Sequence, residues 1–469
     1  MNPSRHCSGP MSRRNFLKLG GLTLGGLGAA GIVPWKLQSA ERGERTPDTS
    51  VIFIWLPGGP PHMEMYDMKP DAPEEYRGDF RPVRTNVVGI DVCEHLPMHT
   101  RIADKFTIIR SIAHNFADHG GGHKRFLTGR DPAQPTGFVN DHPMVGSMVY
   151  KARGQRPGGV PNYICGTDGG REQIDTFSFG SSYLGASVHP FTFGGDPTDP
   201  SFNVRNLRSL QTEERLTDRL NLLERLDATP NSRDHTGTMT AMGTYRRRAL
   251  DMLTTDDARR AFDLSLEPRH VRERYGMHRY GQRALLARRL VEAGATFVTM
   301  VMENPSFPGQ SFPADATYNW DSHAVNCHIF NDSRFRFPMY DRAVTALIED
   351  LYERGLDRRV LLIVTGEFGR TPRITYATGT QTGVTQPGRD HWPSAMSLIV
   401  SGGGMRMGQV IGATNARGEF PTQRRMTPND LWATMFHHLG IDHNHTSFLD
   451  HTGRPMPILP YGTPIAELL

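Results

Sequence analysis

The chain has 469 residues, of which 37% are hydrophobic and 22% charged, and its formal net charge is +4. These ordinary values exclude a disordered, collagenous or multi-span membrane protein. Because 20 histidines stand beside only 4 cysteines, any metal chemistry is expected to use imidazole and carboxylate ligands rather than thiolates.

The positive charge is concentrated at the N-terminus. Residues 1–46 contain seven Lys or Arg and two Asp or Glu, a net charge of +5, so the remainder carries a net charge of −1. A domain without a basic excess lacks the electrostatic footprint of nucleic-acid binding. We therefore expect no nucleic-acid partner.

The same N-terminal segment contains a targeting pattern. The string SRRNFLK, residues 12–18, precedes an uncharged run at 19–33 that is rich in Gly, Ala and Leu. Paired arginines before a mildly apolar stretch resemble a twin-arginine export signal, and this run is too short and glycine-rich for a membrane-spanning helix. An uncleaved anchor or a chance basic terminus are the alternatives.

This pattern sets the expected domain boundaries and location. We expect a signal peptide at 1–40, a linker at 41–49 and the folded domain at 50–469. The twin-arginine export machinery is then a partner, and the protein is periplasmic or extracellular with no stable membrane span after processing.

Within the mature chain, helical and strand patterns alternate. Continuous apolar runs at 51–56 and 360–364 predict buried strands, and the segments 296–302 and 397–400 are interpreted in the same way. Helical periodicity precedes several of them, as at 340–351. The alternation predicts a parallel α/β sheet with helices on both faces.

Two further helical segments are predicted. The charged stretch at about 205–275 has no strong strand pattern, so it is interpreted as a helical insertion or cap. A last helix is expected at 431–439, started by the Thr427–Asp430 segment, which supplies Thr or Asn as its cap.

Five groups of polar residues stand beside the predicted strand ends. They are His62–Glu64 with Asp67, Asp118–His123, Trp320–His323, Gly366–Arg370 and Gly388–Trp392. Ligands of open α/β sheets bind beyond the carboxyl ends of strands. Carboxylates and imidazoles suit zinc, manganese or iron, and a pair of such ions can clamp the attacking and leaving oxygens of a phosphoryl or sulfuryl transfer.

Each group also has an ordinary interpretation. An Asp-x-His pair can be a loop hydrogen bond, and Gly366–Arg370 can be a turn with an internal ion pair. The Asp118–His123 segment can be a glycine-rich loop without a ligand, or its amides can form an anion nest. The Gly402–Gly404 run is interpreted as a turn rather than a phosphate cradle.

The ordered set of segments resembles a known family. The segments are 55–70, 114–132, 320–323, 364–374, 388–414 and 427–442. Together they are similar to the exported bacterial domain of unknown function 1501 family, which is assigned to the alkaline phosphatase and sulfatase superfamily. The resemblance implies a large three-layer α/β/α domain, a mainly parallel sheet and a site at its carboxyl edge.

The resemblance also implies metal ligands. It points to Asp321 and His323 before the long helix, to Glu367 at the end of the penultimate core strand, and to His391 before a strand. Asp390 and His62 are further candidate ligands. One or two divalent ions, zinc or manganese, are expected.

Several positions depart from the superfamily pattern. The aspartate expected after the first strand falls on Pro57 or Gly58, so His62, Glu64 or Asp67 would have to replace it from the loop. Phe368 stands where the superfamily has a second ligand. The position of the sulfatase nucleophile falls on His119, where there is no Cys, Ser or Thr.

These departures shape the predicted function. An ordinary sulfatase mechanism needs an activated hydroxyl or thiol derivative as nucleophile, so we predict instead an exported metal-dependent hydrolase of phosphate or sulfate esters. It would use metal-bound hydroxide or a histidine, with His119 as nucleophile or base and Arg370 or His123 holding the anion. The substrate would be a small-molecule or carbohydrate ester. A catalytically degenerate periplasmic binding or assembly protein is the alternative, and a sugar-processing mutase or transferase is a third.

Overall fold

A computed structural model describes residues 48–156, 160–167, 178–200, 202, 204, 256–305 and 311–469. The predicted signal peptide, most of the predicted linker and residues 205–255 of the predicted insertion lie outside the described residues. Asp48–Leu469 form one compact unit.

The described strands and helices are numbered in chain order. The strands are β1 (Ser50–Trp55), β2 (Pro82–Arg84), β3 (Asp91–Cys93), β4 (Phe106–Ile112), β5 (Tyr163–Gly166), β6 (Phe191–Phe193), β7 (Phe297–Val301), β8 (Val360–Thr365), β9 (Gly369–Arg370), β10 (Thr375–Thr378), β11 (Thr385–Gly388), β12 (His391–Trp392), β13 (Met396–Gly402), β14 (Gln409–Ile411), β15 (Ala413–Thr414), β16 (Pro421–Gln423), β17 (Ser447–Leu449) and β18 (Pro455–Pro457). The α-helices are α1 (His62–Met65), α2 (Glu74–Arg77), α3 (His119–Thr128), α4 (Val145–Arg153), α5 (Asp256–Phe262), α6 (Arg269–Tyr275), α7 (Arg279–Glu292), α8 (Ile329–Glu353) and α9 (Pro428–His438).

The main sheet has eight strands in the order β14-β4-β13-β8-β1-β7-β5-β6. Seven of these strands run in one direction, and β13 alone is antiparallel to its neighbours β4 and β8. The remaining strands form two-stranded ribbons outside this sheet. The predicted fold class, an α/β domain with a large, mainly parallel sheet, is confirmed.

Strand β1 lies at the centre of the sheet and is buried along its whole length. Its alternate side chains enter two separate cores: Ile52 and Ile54 pack with α7 and α8, whereas Phe53 and Trp55 pack with α3, α4 and α9. A strand covered on both faces must be apolar at every position, which explains the unbroken hydrophobic run in the sequence. The domain therefore has three layers, α/β/α.

The antiparallel direction of β13 differs from the parallel sheet that the alternation of helix and strand predicts. Parallel neighbours need a crossover connection, usually a helix. Between β8 and β13, the chain instead forms the short ribbon strands β9 to β12 and no helix. The residues before β13 therefore lie at the same sheet edge as the residues that follow β8, while the Gly402–Gly404 turn lies at the opposite edge, where Gly403 N–H donates to Val360 O.

The predicted helices agree with the structure at their cores. The predicted apolar face from Tyr340 to Leu351 is buried within α8. Helix α9 begins after Thr427, where Thr427 and Asp430 form a capping box. The described end of the predicted insertion contains α5 and α6. Of the helices that the structure describes, none has the length and apolar character to cross a membrane.

Candidate metal centre

Five segments meet at the carboxyl edge of the main sheet: the loops that follow β1, β4, β7 and β8, and the residues that precede β13. The segment after β1 contacts the segments after β7 and β8: Trp320 N–H donates to Pro57 O over 2.9 Å, and Gly58 N–H donates to Glu367 Oε1 over 2.8 Å. The residues before β13 contact the loop after β4, where His391 Nδ1 lies 2.6 Å from Ala117 O. Residues far apart in sequence are thereby collected at one edge, as expected for a ligand site of an open α/β sheet.

A group of four side chains converges there, hereafter the ligand cluster: His119, Asp321, His323 and His391. One potential ligand atom from each lies within 4.8 Å of all the others. Asp321 Oδ1 is 3.3 Å from His119 Nε2, 3.0 Å from His323 Nε2 and 3.2 Å from His391 Nε2. Three imidazoles thus point the same nitrogen at one carboxylate oxygen.

Each of these imidazoles has its other nitrogen beside an oxygen acceptor. His119 Nδ1 lies 2.8 Å from Glu367 Oε1, and His323 Nδ1 lies 2.7 Å from Asp390 Oδ1. His391 Nδ1 faces the Ala117 carbonyl. Ionised carboxylates and carbonyls only accept hydrogen bonds, so all three Nδ1 atoms carry the hydrogen. In the neutral rings, every Nε2 then presents a lone pair to the cluster.

This arrangement is unfavourable unless a positive charge is shared. His323 Nε2 and His391 Nε2 are only 2.8 Å apart, and two lone pairs at that distance repel each other. A divalent cation accepts both lone pairs together with the carboxylate oxygen. A histidine that donates its second N–H to a carboxylate or carbonyl is also the usual arrangement behind metal ligands. The donor set therefore fits a transition metal such as zinc, manganese or iron.

The ligand cluster is accessible to solvent. Its four side chains retain between 16% and 24% of their exposure. Catalytic metal sites keep a position open to a water or substrate, and beside four protein ligands that position has to be a fifth one. The partial exposure is that of a site that small molecules can reach.

Helix α3 presents His119 at its first position, and three consecutive glycines follow it. This corrects the interpretation of Asp118–His123 as a loop: Asp118 caps the helix by accepting from the N–H groups of Gly120 and Gly121. A Cβ at Gly120 would lie 2.4 Å from Gly137 O, and one at Gly122 would lie 2.9 Å from the Phe368 ring. The glycines let α3 pack tightly against its neighbours, which fixes the position of His119.

The loop after β1 has no room for the aspartate that the superfamily pattern places at Pro57 or Gly58. A Cβ at Gly58 would lie 2.5 Å from Asp321 N, and Gly58 has φ +108°, which L side chains rarely adopt. The Gly58 N–H donates to both oxygens of Glu367. The backbone of this loop therefore supports two site segments directly, and no side chain fits at that point.

Arg370 is buried at the base of the site. Its guanidinium contacts Asp321 Oδ1 at 2.5 Å and donates to the carbonyls of Gly58, Gly59, Trp320 and Arg389. The predicted anion-holding role does not match this position, because the donors already face protein oxygens. Arg370 instead joins the site loops and directs Asp321 at the imidazoles.

The electrostatics of the cluster follow from these contacts. Burial opposes the ionisation of Asp321, but its contacts with the imidazoles of His119, His323 and His391 and the charge of Arg370 hold its pKa well below the usual range. Burial likewise disfavours a charged His119, yet its contacts with Asp321 and Glu367 raise its pKa to about 9. Without a cation, His119 Nε2 therefore carries a proton at neutral pH, and a bound cation would take the place of that proton. The pKa of His391 is lowered, chiefly by burial. The carboxylate remains ionised and available to a cation.

Three residues predicted as metal ligands lie outside the cluster of four. Glu367 and Asp390 contact the Nδ1 atoms of His119 and His323, on the side of each ring away from the cluster. His62 is buried elsewhere, with its Nδ1 accepting from Arg370 N–H at 3.3 Å. Burial lowers the pKa of His62 to about 4, so the ring is neutral.

The other residues predicted near the site have separate partners. His123 is buried against Trp55 and Phe138, with Nε2 3.3 Å from Glu367 Oε1, so it does not match the predicted anion-holding role. Glu64 pairs with the buried Arg389, and Asp67 pairs with Lys69. The loop after β1 therefore contributes no side chain to the cluster of four.

Three further contributors were not predicted from the sequence. The Ala117 carbonyl fixes the His391 ring, and Asn326 donates to Asp321 Oδ2 over 3.0 Å. The fully buried Phe368 ring packs against the His119 and His391 rings, with centroids 5.4 and 4.6 Å away. The short spacing of Asn326 from Asp321 is a usable signal, but a carbonyl contact and a ring contact depend on the folded loops.

Structural comparisons find similar solved proteins at low identity. A sulfatase from Pseudoalteromonas sp. matches with a TM-score of 0.33 and 12% identity, covering 93% of this chain and 73% of that chain. The TAB5 alkaline phosphatase matches with a TM-score of 0.36 and 10% identity, covering 85% and 99%. A phosphonate monoester hydrolase from Silicibacter pomeroyi matches with a TM-score of 0.31 and 13% identity, covering 84% and 73%.

Sequence comparison gives a family assignment. No curated protein matches the chain. Residues 48–469 match the family described as "Protein of unknown function (DUF1501)". This match spans the whole sheet and every residue of the ligand cluster, and the chain therefore belongs to the DUF1501 family.

Proposed function

We propose that this protein is a metal-dependent hydrolase of phosphate or sulfate esters. The observation that carries the proposal is the convergence of three imidazole Nε2 atoms on Asp321 Oδ1, with each Nδ1 already beside an oxygen acceptor. The family resemblance in motif order and the exposure of the cluster to solvent support it.

The four residues of the ligand cluster would hold one divalent cation. When bound, such a cation supplies Lewis-acid polarisation of a phosphoryl or sulfuryl oxygen. Arg370 keeps Asp321 ionised and directed at the imidazoles. The cluster also lies at the N-terminal end of α3, where the helix dipole favours a negatively charged ligand.

His119 is better assigned as a ligand than as the nucleophile or base that the sequence predicts. Its Nδ1 faces Glu367 and its Nε2 faces Asp321, so neither nitrogen is free to attack an ester. Ser322, between two of the ligands in sequence, is buried. We therefore propose that a water oxygen attacks the phosphorus or sulfur atom while the bond from that atom to the alcohol oxygen breaks. The alcohol leaves with one proton of the water, and no covalent enzyme intermediate forms.

Metal analysis and an ester panel test this function. The purified mature protein should contain close to one transition-metal ion per chain, and Asp321→Asn should weaken zinc binding by about 100-fold or more, because it removes a direct ligand rather than an outer contact. Asp332→Asn is the matched control, since Asp332 is a buried carboxylate that pairs with Arg336 outside the cluster. Zinc, manganese and iron should each be added in assays of aryl phosphates, phosphodiesters and aryl sulfates.

The outcomes separate the two functions. Turnover of one ester class that Asp321→Asn abolishes and Asp332→Asn retains supports the hydrolase. A folded protein that binds no cation contradicts it. A protein that binds the cation but turns over none of the esters favours the alternative, a binding or assembly protein, which the lack of a hydroxyl or thiol in the ligand cluster also favours.

We also propose that the protein is exported through the twin-arginine route. The SRRNFLK string at 12–18 motivates this location. Replacing both Arg13 and Arg14 by Lys should retain the full-length protein in the cytoplasm. Cell fractionation and the mass of the mature chain provide the measurement, and normal export of the double variant would contradict the proposal.

A further inference from the structure

The carboxylate of Glu367 is enclosed by nitrogen donors. It is 0% exposed. Its oxygens accept from Gly58 N–H at 2.8 and 3.1 Å, and its Oε1 lies 2.8 Å from His119 Nδ1 and 3.3 Å from His123 Nε2. Burying a carboxylate is costly unless it is paired and hydrogen-bonded, and this many donors satisfy it.

The position of Glu367 relative to His119 separates it from the ligand cluster. The two nitrogens of an imidazole point away from each other, and Glu367 faces Nδ1 while Asp321 faces Nε2. The ring of His119 therefore stands between the Glu367 contact and the point where the four ligand atoms converge. Glu367 is also absent from the group of four whose atoms lie within 4.8 Å.

We infer that Glu367 is a positioning residue that sets the cation affinity of the site through His119, rather than a ligand as the sequence suggested. This inference rests on the proposed metal site. Accepting the Nδ1 hydrogen fixes the tautomer in which Nε2 is a ligand, fixes the plane of the ring and raises its basicity. Phe368 holds the same ring from another side, with the centroids 5.4 Å apart.

A second carboxylate–imidazole contact at the same site, between Asp390 and His323, allows this role to be compared. Asp390 has the same relation to His323, with Oδ1 2.7 Å from Nδ1, but its side chain is 52% exposed. Water competes for that contact and screens its charge, whereas the Glu367 contact is dry. The removal of charge at Glu367 should therefore weaken the site more than the same change at Asp390.

The test uses the full mature protein and the variants Glu367→Gln, Glu367→Ala and Asp390→Asn. Zinc affinity is measured by competition with a chelator, and the donor set is measured by X-ray absorption of the cobalt-loaded protein. Glu367→Gln should weaken zinc binding by about 10–100-fold, and Asp390→Asn should weaken it less. Because glutamine keeps an oxygen acceptor for the Nδ1 hydrogen, Glu367→Gln should bind zinc more tightly than Glu367→Ala.

The spectroscopic signature distinguishes positioning from ligation. A positioning role leaves three nitrogens and the Asp321 oxygen around cobalt in Glu367→Gln, whereas a ligand role changes the donor set. Unchanged zinc affinity in a folded Glu367→Gln, or a changed donor set, would overturn the inference while leaving the metal site intact. If Glu367→Ala does not fold, Glu367→Gln and Asp390→Asn alone decide. A wild-type protein that binds neither zinc nor cobalt overturns the proposed function itself, and this inference with it.

Discussion

Two aspartate–arginine pairs in this molecule, each with a buried guanidinium, have very different surroundings. In the helical layer, Asp332 and Arg336 form a two-point pair within α8, and the remaining donors of Arg336 reach Tyr280 and backbone carbonyls. At the sheet edge, Asp321 Oδ1 faces Arg370 and three imidazole nitrogens at once. In the first pair, every nitrogen of the guanidinium has a protein acceptor.

The difference lies in the number of nitrogens around one oxygen. A carboxylate oxygen has two lone-pair sites, and Asp321 Oδ1 has four nitrogens within 3.3 Å. Asp332 is nearly sealed from solvent, while Asp321 keeps 16% of its exposure. An aspartate–arginine pair thus indicates a structural role when the number of donors matches the number of lone pairs on the carboxylate. It indicates a binding site when more nitrogens surround one oxygen than that oxygen has lone pairs.

The largest expected effect comes from breaking the helical pair. Arg336→Met would leave the buried carboxylate of Asp332 without its guanidinium, which should cost about 3–5 kcal/mol of unfolding free energy. Zinc affinity of the folded protein should change far less, because Arg336 contacts none of the four side chains of the ligand cluster. Its guanidinium does lie over the ring of Trp320, whose carbonyl accepts from Arg370, so a small coupling between the two pairs is expected. Urea denaturation without metal and a zinc competition assay measure the two quantities. A parallel loss of affinity would show that the two pairs are not independent.

A smaller effect concerns the pH response of the helical layer. His278 caps α7 by accepting from Gly281 N–H at 3.1 Å, and burial lowers its pKa to about 4 from the usual 6.5. The unfolded chain therefore binds a proton in this range that the folded chain does not, so stability falls as the pH decreases from about 6.5 to about 4. The expected slope is up to about 1.4 kcal/mol per pH unit for one histidine.

The variant His278→Asn isolates that contribution. Asparagine keeps a cap acceptor but does not titrate. Below pH 6.5, the variant should lose less stability than the wild type in urea denaturation of the metal-free protein. The slope should decrease without vanishing, because burial also lowers the pKa of His62 and His114 to about 4. Identical slopes for both proteins would contradict the assignment.

Much of the fold could be predicted from the sequence because burial imposes a composition. Strands β1 and β8 are covered on both faces, so their sequences are apolar at every position. Helix α8 covers one face of the sheet, so its apolar residues recur at the helical period. The direction of β13 has no such signature, since a buried strand is equally apolar in either direction.

The candidate site was less predictable for a related reason. The identities of Asp321, His323 and His391 follow from motif order, and the structure brings them together with His119. The separation of ligand from supporting carboxylate does not follow from motif order, because both carboxylates contact His119 and the folded structure decides which ring nitrogen each one faces. The buried position of Arg370 depends on carbonyls of three other segments, which have no sequence pattern.

The hydrogen bond between Gly58 and Glu367 joins positions 309 residues apart. Contacts of such long range form late, because the intervening chain must be ordered before they close. During synthesis, a nascent chain that ends before His391 lacks one of the four converging side chains. Cation capture by all four side chains would consequently require a chain synthesised at least through His391.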